Sequence, residues 1–166
     1  MADQDDEARL RRALAAGAVL VTVLGVVVGW LGNTVYRDHE SERNREILLA
    51  AARQCAASLT SIDYTRVESD VQRILDCSTG NFRVEFDGRS DTLIDVVKRS
   101  QSTSAGTVTA AGLESVNGSE GVALVAVMVR TLAGGMSDDR PRFLRMRLTV
   151  AREGEAAKVA RVDFVT

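Results

Sequence analysis

One proline, one histidine, one tryptophan and two cysteines are all that 166 residues supply of the types that most often mark rigid turns, general bases and metal sites, and aromatic residues make up only 4%. The histidine, His39, stands in the charged stretch Arg37-Asp38-His39-Glu40. Beyond it the chain holds no imidazole, which excludes the commonest acid–base and nucleophilic arrangements. Without a cluster of histidines and cysteines, neither a resident metal nor any other cofactor is expected. Charge of neither sign dominates: 21 Lys+Arg face 23 Asp+Glu, a net of −2. From Arg37 onward the counts are 18 and 19, so the clustered basic excess of a nucleic-acid surface is missing. No internal repeat and no extended low-complexity segment is present. Arginine outnumbers lysine nineteen to two, a bias common in GC-rich genomes.

What the chain has in quantity is one apolar run. Twenty-four uncharged residues, Ala13 to Tyr36, lie between Arg9, Arg11 and Arg12 on one side and Arg37 on the other. A helix crossing the hydrocarbon layer needs about 20 such residues at about 1.5 Å of rise each. Thr22 is the only polar side chain before Asn33, so the run has no polar stripe of the kind a buried core helix carries. Trp30 and Tyr36 stand near its end, where amphipathic rings favour headgroups. A cleaved signal peptide would have a shorter apolar region and a small-x-small site, and Gly29-Trp30-Leu31-Gly32-Asn33 offers no Ala-x-Ala. The expectation is an uncleaved anchor of the inner (plasma) membrane. Residues 1–12 form a cytoplasmic tail, 13–36 a single-pass transmembrane helix, and 37–166 an extracytoplasmic domain with a helical stalk at 37–47. The short tail with three arginines sets this orientation, since long domains translocate largely regardless of charge.

The 130 residues beyond the anchor suffice for one hydrophobic core. Both cysteines, Cys55 and Cys77, fall there, and a pair in an oxidising compartment is a disulfide candidate. The alternative is two small buried apolar side chains. In a straight hairpin of helices turning near Ile62, Cys77 would overshoot Cys55 by about 12 Å, whereas a bridge needs Cα atoms within about 7 Å. Only a steep helix crossing or a chain reversal just after the second helix would close that gap.

From Arg37 to about Leu59 the pattern is helical, polar all round at first, then apolar at Leu48, Ala52, Cys55, Ala56 and Leu59. A second helix is expected after Thr65-Arg66-Val67-Glu68, spaced as a capping box, with Val67, Val71, Ile74 and Leu75 on one face. Phe82 and Phe86 give one helical turn of aromatic contacts, and a last helix is expected from Ser90 or Asp91 with Leu93, Ile94, Val96 and Val97. From Thr107 the period becomes two. Thr107–Val116 reads as a strand with a bulge near Ala110-Ala111-Gly112, and Asn117-Gly118 as a two-residue hairpin turn. Val122–Val129 is apolar on both faces and reads as a central strand covered on both sides. Residues 133–141 read as a long mobile loop. Phe143–Arg152 alternates, with Leu144, Met146, Leu148 and Val150 opposite Arg145, Arg147 and Thr149. The final strand places Ala160, Val162 and Phe164 on one face. Helices first and strands afterwards is an α+β layout. About three helices on one face of a curved four-stranded antiparallel sheet account for every element, which is a cystatin-like cone roll as in ketosteroid isomerase and nuclear transport factor domains.

Several strings carry a family resemblance: Ala51-Ala52-Arg53-Gln54, Leu59-Thr60-Ser61-Ile62-Asp63-Tyr64, Val71-Gln72-Arg73-Ile74-Leu75-Asp76 and Ser78-Thr79-Gly80-Asn81-Phe82-Arg83. They continue in Gln101 to Ser115 and in Arg145-Met146-Arg147-Leu148. In this order, over roughly residues 50 to 165 and behind an anchor, they resemble the actinobacterial Mce-associated membrane proteins. The resemblance implies a single-pass protein with an extracytoplasmic cystatin-like domain, similar in shape to periplasmic scaffold subunits of type IV secretion systems. It implies an accessory role, stabilising or assembling a Mce transporter of lipids or sterols, with the transporter proteins and membrane lipid as partners. At the two cysteine positions the family leads one to expect small residues such as Gly and Ser. The oligomeric state is not implied.

Three function classes follow. An enzyme of the ketosteroid-isomerase kind would need a carboxylate base and a polarising acid. Asp63 with Tyr64 is the best local pair, yet an Asp at a helix start is ordinarily a cap. A lipid-binding module would line a cavity with Val125, Val127, Met128, Leu144 and Met146, residues that equally fill a core. An interaction module would use the basic stripe of Arg145 and Arg147 with Arg142 and Arg140, or the edges of Phe143–Arg152 or the final strand. The interaction module is the preferred reading, with no catalytic residues, Arg142, Arg145 and Arg147 as partner-binding residues, and Cys55 and Cys77 as the possible disulfide.

Overall fold

The computed structural model describes residues 40–133, 136–137 and 140–165. The expected tail 1–12, the expected transmembrane segment 13–36, His39, the start of the stalk, and Gly134, Gly135, Asp138 and Asp139 lie outside the described residues. The chain divides into two compact units, Met1–Glu42 and Arg43–Thr166, of which the second holds the sheet. Among the described residues no helix is long and apolar enough to cross a membrane.

Helix α1 covers 40–60. Its apolar stripe Leu48, Ala52, Cys55 and Ala56 is fully buried, each such side chain contributing of the order of 1–3 kcal/mol in apolar transfer. Within the stretch expected to be stalk, Asn44 donates to the Gly118 carbonyl at 3.0 Å and accepts from Arg152 at 3.1 Å. From Asn44 onward, therefore, the helix is tied to the sheet. A two-residue strand β1 (Ile62–Asp63) leads to helix α2 (Val67–Asp76). The buried face of α2 is Val67, Val71, Ile74 and Leu75, at the expected spacing.

Its start differs from the expected capping box. Arg66 occupies the cap without a side-chain bond, and the Thr65 hydroxyl donates to the Asp63 carboxylate at 2.8 Å. The buried Asp70 reaches back instead, accepting from the Asp63 amide at 2.8 Å and from Arg73 at 2.5 Å.

Helix α3 (Gly80–Ser100) is one 21-residue element, not an aromatic turn followed by a separate helix. Phe82, Phe86, Ser90, Leu93, Ile94 and Val97 recur at i, i+4, i+8, i+11, i+12 and i+15. That unbroken stripe holds the helix through Gly88 although glycine costs about 1 kcal/mol there. Phe82 and Phe86 meet at 5.9 Å between ring centres.

The sheet has four long strands: β2 (Ser102–Asn117), β3 (Glu120–Ala133), β5 (Arg142–Glu153) and β6 (Ala156–Val165). They are joined by β1 and by β4 (Met136–Ser137), the latter pairing with β3 inside the stretch expected to be loop. The order is β1-β2-β3-β5-β6 with every pairing antiparallel. The α+β expectation therefore holds for the domain, with two short strands added to the four.

β2 starts five residues earlier than expected because β1 pairs with it at Ile62↔Ser104 and Asp63↔Thr103. The bulges of β2 lie between Val108 and Ala110 and between Leu113 and Ser115, flanking the expected position. Asn117 pairs with Glu120, so the two loop residues are Gly118 and Ser119, one step beyond the Asn-Gly reading. Gly118 takes the positive φ (59°) that such a turn requires.

On β3, Ala123, Val125, Val127 and Val129 are buried, and on β5 Met146, Leu148 and Val150. These and α1 form the main core; Val67, Val71, Leu75 and Val97 form a second. On β6 a bulge at Thr149/Val150 moves the buried position to Val159, so Ala160 does not share the face of Val162 and Phe164. β5 is an interior strand, which rules out the edge route expected for Phe143–Arg152. The β2 edge is blunted: the Ser61 hydroxyl accepts from the Gly106 amide at 3.0 Å, and Arg53 donates to the Ala111 carbonyl at 3.3 Å. Cys77 and Thr79 occupy the β6 edge at Val159.

Candidate functional site

Among the described residues, helices cover one face of the sheet. Along β3 the alternate set Val122, Leu124, Ala126 and Met128 points away from them and is half-buried or exposed, with Leu124 40% exposed. Among the described residues, then, Val122–Val129 is covered on one side and not on the second side that was expected. The residues are apolar on both faces, and the structure supplies cover for one.

The register assembles the uncovered face. Ala110 pairs with Ala126, and Gly112 with Leu124. Ala126 pairs with Arg145, and Leu124 with Arg147. Arg145 in turn stands beside Val165, and Arg147 beside Asp163. Between them lies an open trough of about 350 Å³ whose lining includes these two alanines, Gly112, Leu124, Val165 and the two arginines. Phe143, on the same face and opposite Met128, is 72% exposed. Leu132, at the far end of β3, is 48% exposed.

The two arginines differ electrostatically. Arg147 is held by both oxygens of Glu114, at 2.9 and 3.0 Å. Arg145 has no ion pair among the described residues; its cross-strand neighbours, Ala126 and Val165, are apolar. Arg142 lies at the other parity of β5, pairs with Val129, and has an interaction of its own. Arg140 is likewise engaged. The expected four-arginine stripe is therefore a pair, Arg145 and Arg147, because alternation along β5 turns Arg142 to the opposite face.

The other expected sites resolve as follows. The Asp63 carboxylate accepts from the Thr65 amide at 2.9 Å and from its hydroxyl, and lies 3.8 Å from Arg66. The Thr65 amide and hydroxyl hold Asp63 below its ordinary value against the opposing effect of burial, with lesser help from Arg66. A catalytic base raised towards neutrality shows the opposite shift. Tyr64 is 38% exposed. Glu68 is also lowered, by its bond from Lys98. Among the described residues no three His, Cys, Asp or Glu side chains gather as a metal would require. Of the residues read as possible cavity lining, Val125, Val127 and Met146 are at most 2% exposed and belong to the main core, and Val125 and Met146 also border the open trough.

Cys55 and Cys77 form a disulfide with Cα atoms 5.6 Å apart. The straight-hairpin geometry that argued against it does not occur. Cys77 caps the end of α2, and at Ser78 the chain turns into a parallel bridge with Val159. That reversal brings Cys77 back beside the middle of α1.

The trough residues Ala110, Gly112, Ala126, Leu124 and Val165 were not singled out by sequence reasoning. Their signal was present in the two-sided apolar pattern of Val122–Val129 and in three small residues at 110–112 of a strand, where β-branched side chains are favoured.

A sequence profile of the family described as "Uncharacterized protein Rv1363c/MT1408-like" matches residues 11–166. The protein described as "Uncharacterized protein Rv1363c", from Mycobacterium tuberculosis, is 34% identical over 155 residues, covering 92% of this chain and 59% of the relative. The chain thus spans about three-fifths of that relative's length. Among solved structures, an IcmL-like type IV secretion system protein of Legionella pneumophila superposes with a TM-score of 0.60 at 13% identity, covering 73% of this chain and 91% of the other. The periplasmic domain of DotI gives 0.58 at 12% identity, covering 70% and 91%. At these identities the likeness is one of fold.

Proposed function

The chain belongs to the Rv1363c/MT1408-like family, and from that premise we propose that it is a non-enzymatic accessory or scaffold subunit of the actinobacterial cell envelope, stabilising or assembling a Mce transporter of lipids or sterols. In this reading residues 13–36 anchor it in the plasma membrane and the α+β domain works outside. The observation that carries the reading is the apolar sheet face left uncovered by the described residues, on which Arg145 has no ion pair among them. Such a face suits a protein whose work is to be held against another. Three further points support it. Asp63 is engaged in a turn and shifted away from the range of a general base. The disulfide suits an oxidising compartment. The strings that resemble those of Mce-associated proteins run through both the helical and strand halves.

Deletion of the gene, with transporter abundance measured by quantitative immunoblotting and lipid uptake by labelled substrate, tests the role. Both are expected to fall and to be restored by the intact chain. Normal abundance together with normal uptake would overturn the reading. A reporter active only outside the cytoplasm, fused after Thr166, is expected to be active.

A further inference from the structure

Resting on the reading of the domain as an assembly module, we infer that the uncovered face of the sheet docks an apolar helix of a partner protein, seated over Ala110, Gly112 and Ala126 with a partner carboxylate on Arg145.

Four features fix the occupant's chemistry. β3 and β5 are interior strands paired on both sides, and β2 is paired to β3 along this face apart from its two bulges, so the floor of the trough offers no unpaired strand. An occupant is held by side chains, as a helix lying on a sheet is, and not by an added strand. Next, the glycine at 112 is not required by the domain's own packing. A side chain built at Gly112 would meet nothing within 4 Å, and Gly112 does not have positive φ. What glycine and the two alanines do is let another backbone approach closely. The walls, Leu124 and Val165, each 40% exposed, present apolar surface to the same body. Finally, the lining carries two arginines and no acid. Arg147 is already satisfied by Glu114, which leaves Arg145 to select a carboxylate. Arg145 is the one cation of the lining without an acid partner among the described residues, so charge favours an occupant bearing a carboxylate at that point.

The test uses the full chain in its native membranes. Phe143, exposed on the same face two residues from Arg145, is replaced by a photoreactive benzoyl-phenylalanine, and the adduct is sequenced by mass spectrometry. The expected adduct is to an apolar helical segment bearing Asp or Glu. Its yield is expected to fall by about tenfold or more in Gly112→Leu, which fills the trough, and comparably in Arg145→Glu. Changing the identified carboxylate to Arg is expected to restore the yield in Arg145→Glu. The inference is overturned by the absence of an adduct, by an adduct to lipid or to a second copy alone, or by a yield indifferent to both substitutions. Arg145 is exposed and unpaired, so that arm stands even if Gly112→Leu misfolds; thermal unfolding of each variant checks this. An adduct of the expected chemistry on a protein unrelated to the transporter would keep this inference and sink the transporter assignment instead.

Discussion

Removing the disulfide perturbs one identifiable term in stability. Cys55 and Cys77 are 22 residues apart, and the enclosed loop contains the end of α1, all of β1 and α2. Chain-entropy reasoning assigns a loop of that length about 3 kcal/mol, acting chiefly by restricting the unfolded chain. Cys55→Ala/Cys77→Ala keeps small side chains at both sites, so little cavity is added and the loss is expected to stay near that figure. Against a typical domain stability of about 5–15 kcal/mol this is a large share, corresponding to about 10 °C in Tm for a domain of this size. Urea unfolding followed by far-ultraviolet circular dichroism measures it, with oxidised protein compared with the double variant. Oxidised protein treated with reductant should approach the same midpoint. A difference below about 1 kcal/mol refutes the loop argument. Two titratable thiols in the unfolded, non-reduced chain would remove the bridge altogether.

Three other outcomes are expected. Gly106→Ala should destabilise by about 1–3 kcal/mol, because the new Cβ would lie 1.9 Å from Thr60 Oγ1 and 2.5 Å from its Cβ; an unchanged denaturation midpoint would show that α1 can shift away from β2 freely. Gly88→Ala should stabilise by about 0.5–1 kcal/mol, since the position is mid-helix, has normal φ, and has nothing within 4 Å of an added Cβ; a loss of stability would contradict the continuous α3. Asp63→Asn should cost some stability at neutral pH. The folded Asp63 titrates below its ordinary 3.8, so its contribution is present above that value and fades as the pH falls through the lower folded value. A pH series of thermal melts in which the deficit of Asp63→Asn persists unchanged into acid would refute the attribution.

What was legible in the sequence was whatever depended on local periodicity. The stripes Leu48-Ala52-Cys55-Ala56 and Val67-Val71-Ile74-Leu75, and the alternation of Phe143–Arg152, each reported a buried face that the structure contains. The misses came where long-range pairing decided the outcome. Ser90 or Asp91 reads as a helix start, and packing of the stripe on both sides of Gly88 instead keeps α3 whole. Ser102–Ala105 has little strand character of its own and joins β2 through β1 and β3. Ala160 loses its place to Val159 because of a bulge that no local pattern announces. The disulfide was undecidable from spacing, since it depends on a reversal at Ser78 fixed by a bridge 81 positions further along, at Val159. For the candidate site, Arg145 and Arg147 were legible from alternation, whereas the trough between them needed the register of three strands.

The two-sided apolar character of β3 links sequence, fold and function most directly. A strand in an antiparallel sheet with one solvated face ordinarily alternates apolar and polar residues, as β5 does with Leu144, Met146 and Leu148 opposite Arg145, Arg147 and Thr149. β3 departs from that rule next door, in the same sheet and on the same exposed face, with Val122, Leu124, Ala126 and Met128. Folding of the domain alone gives no reason for the difference, because that face contributes nothing to either buried core. An exposed apolar central strand also raises the hazard of non-specific association. Arg145 and Arg147 on one flank and the blunted β2 edge on the other limit that hazard without burying the strip. A surface kept apolar at its centre and charged on one flank fits a contact made by side chains with one body that brings a carboxylate to Arg145. If Leu124→Lys left assembly in the membrane intact while the domain stayed folded, this account of β3 would have to be abandoned.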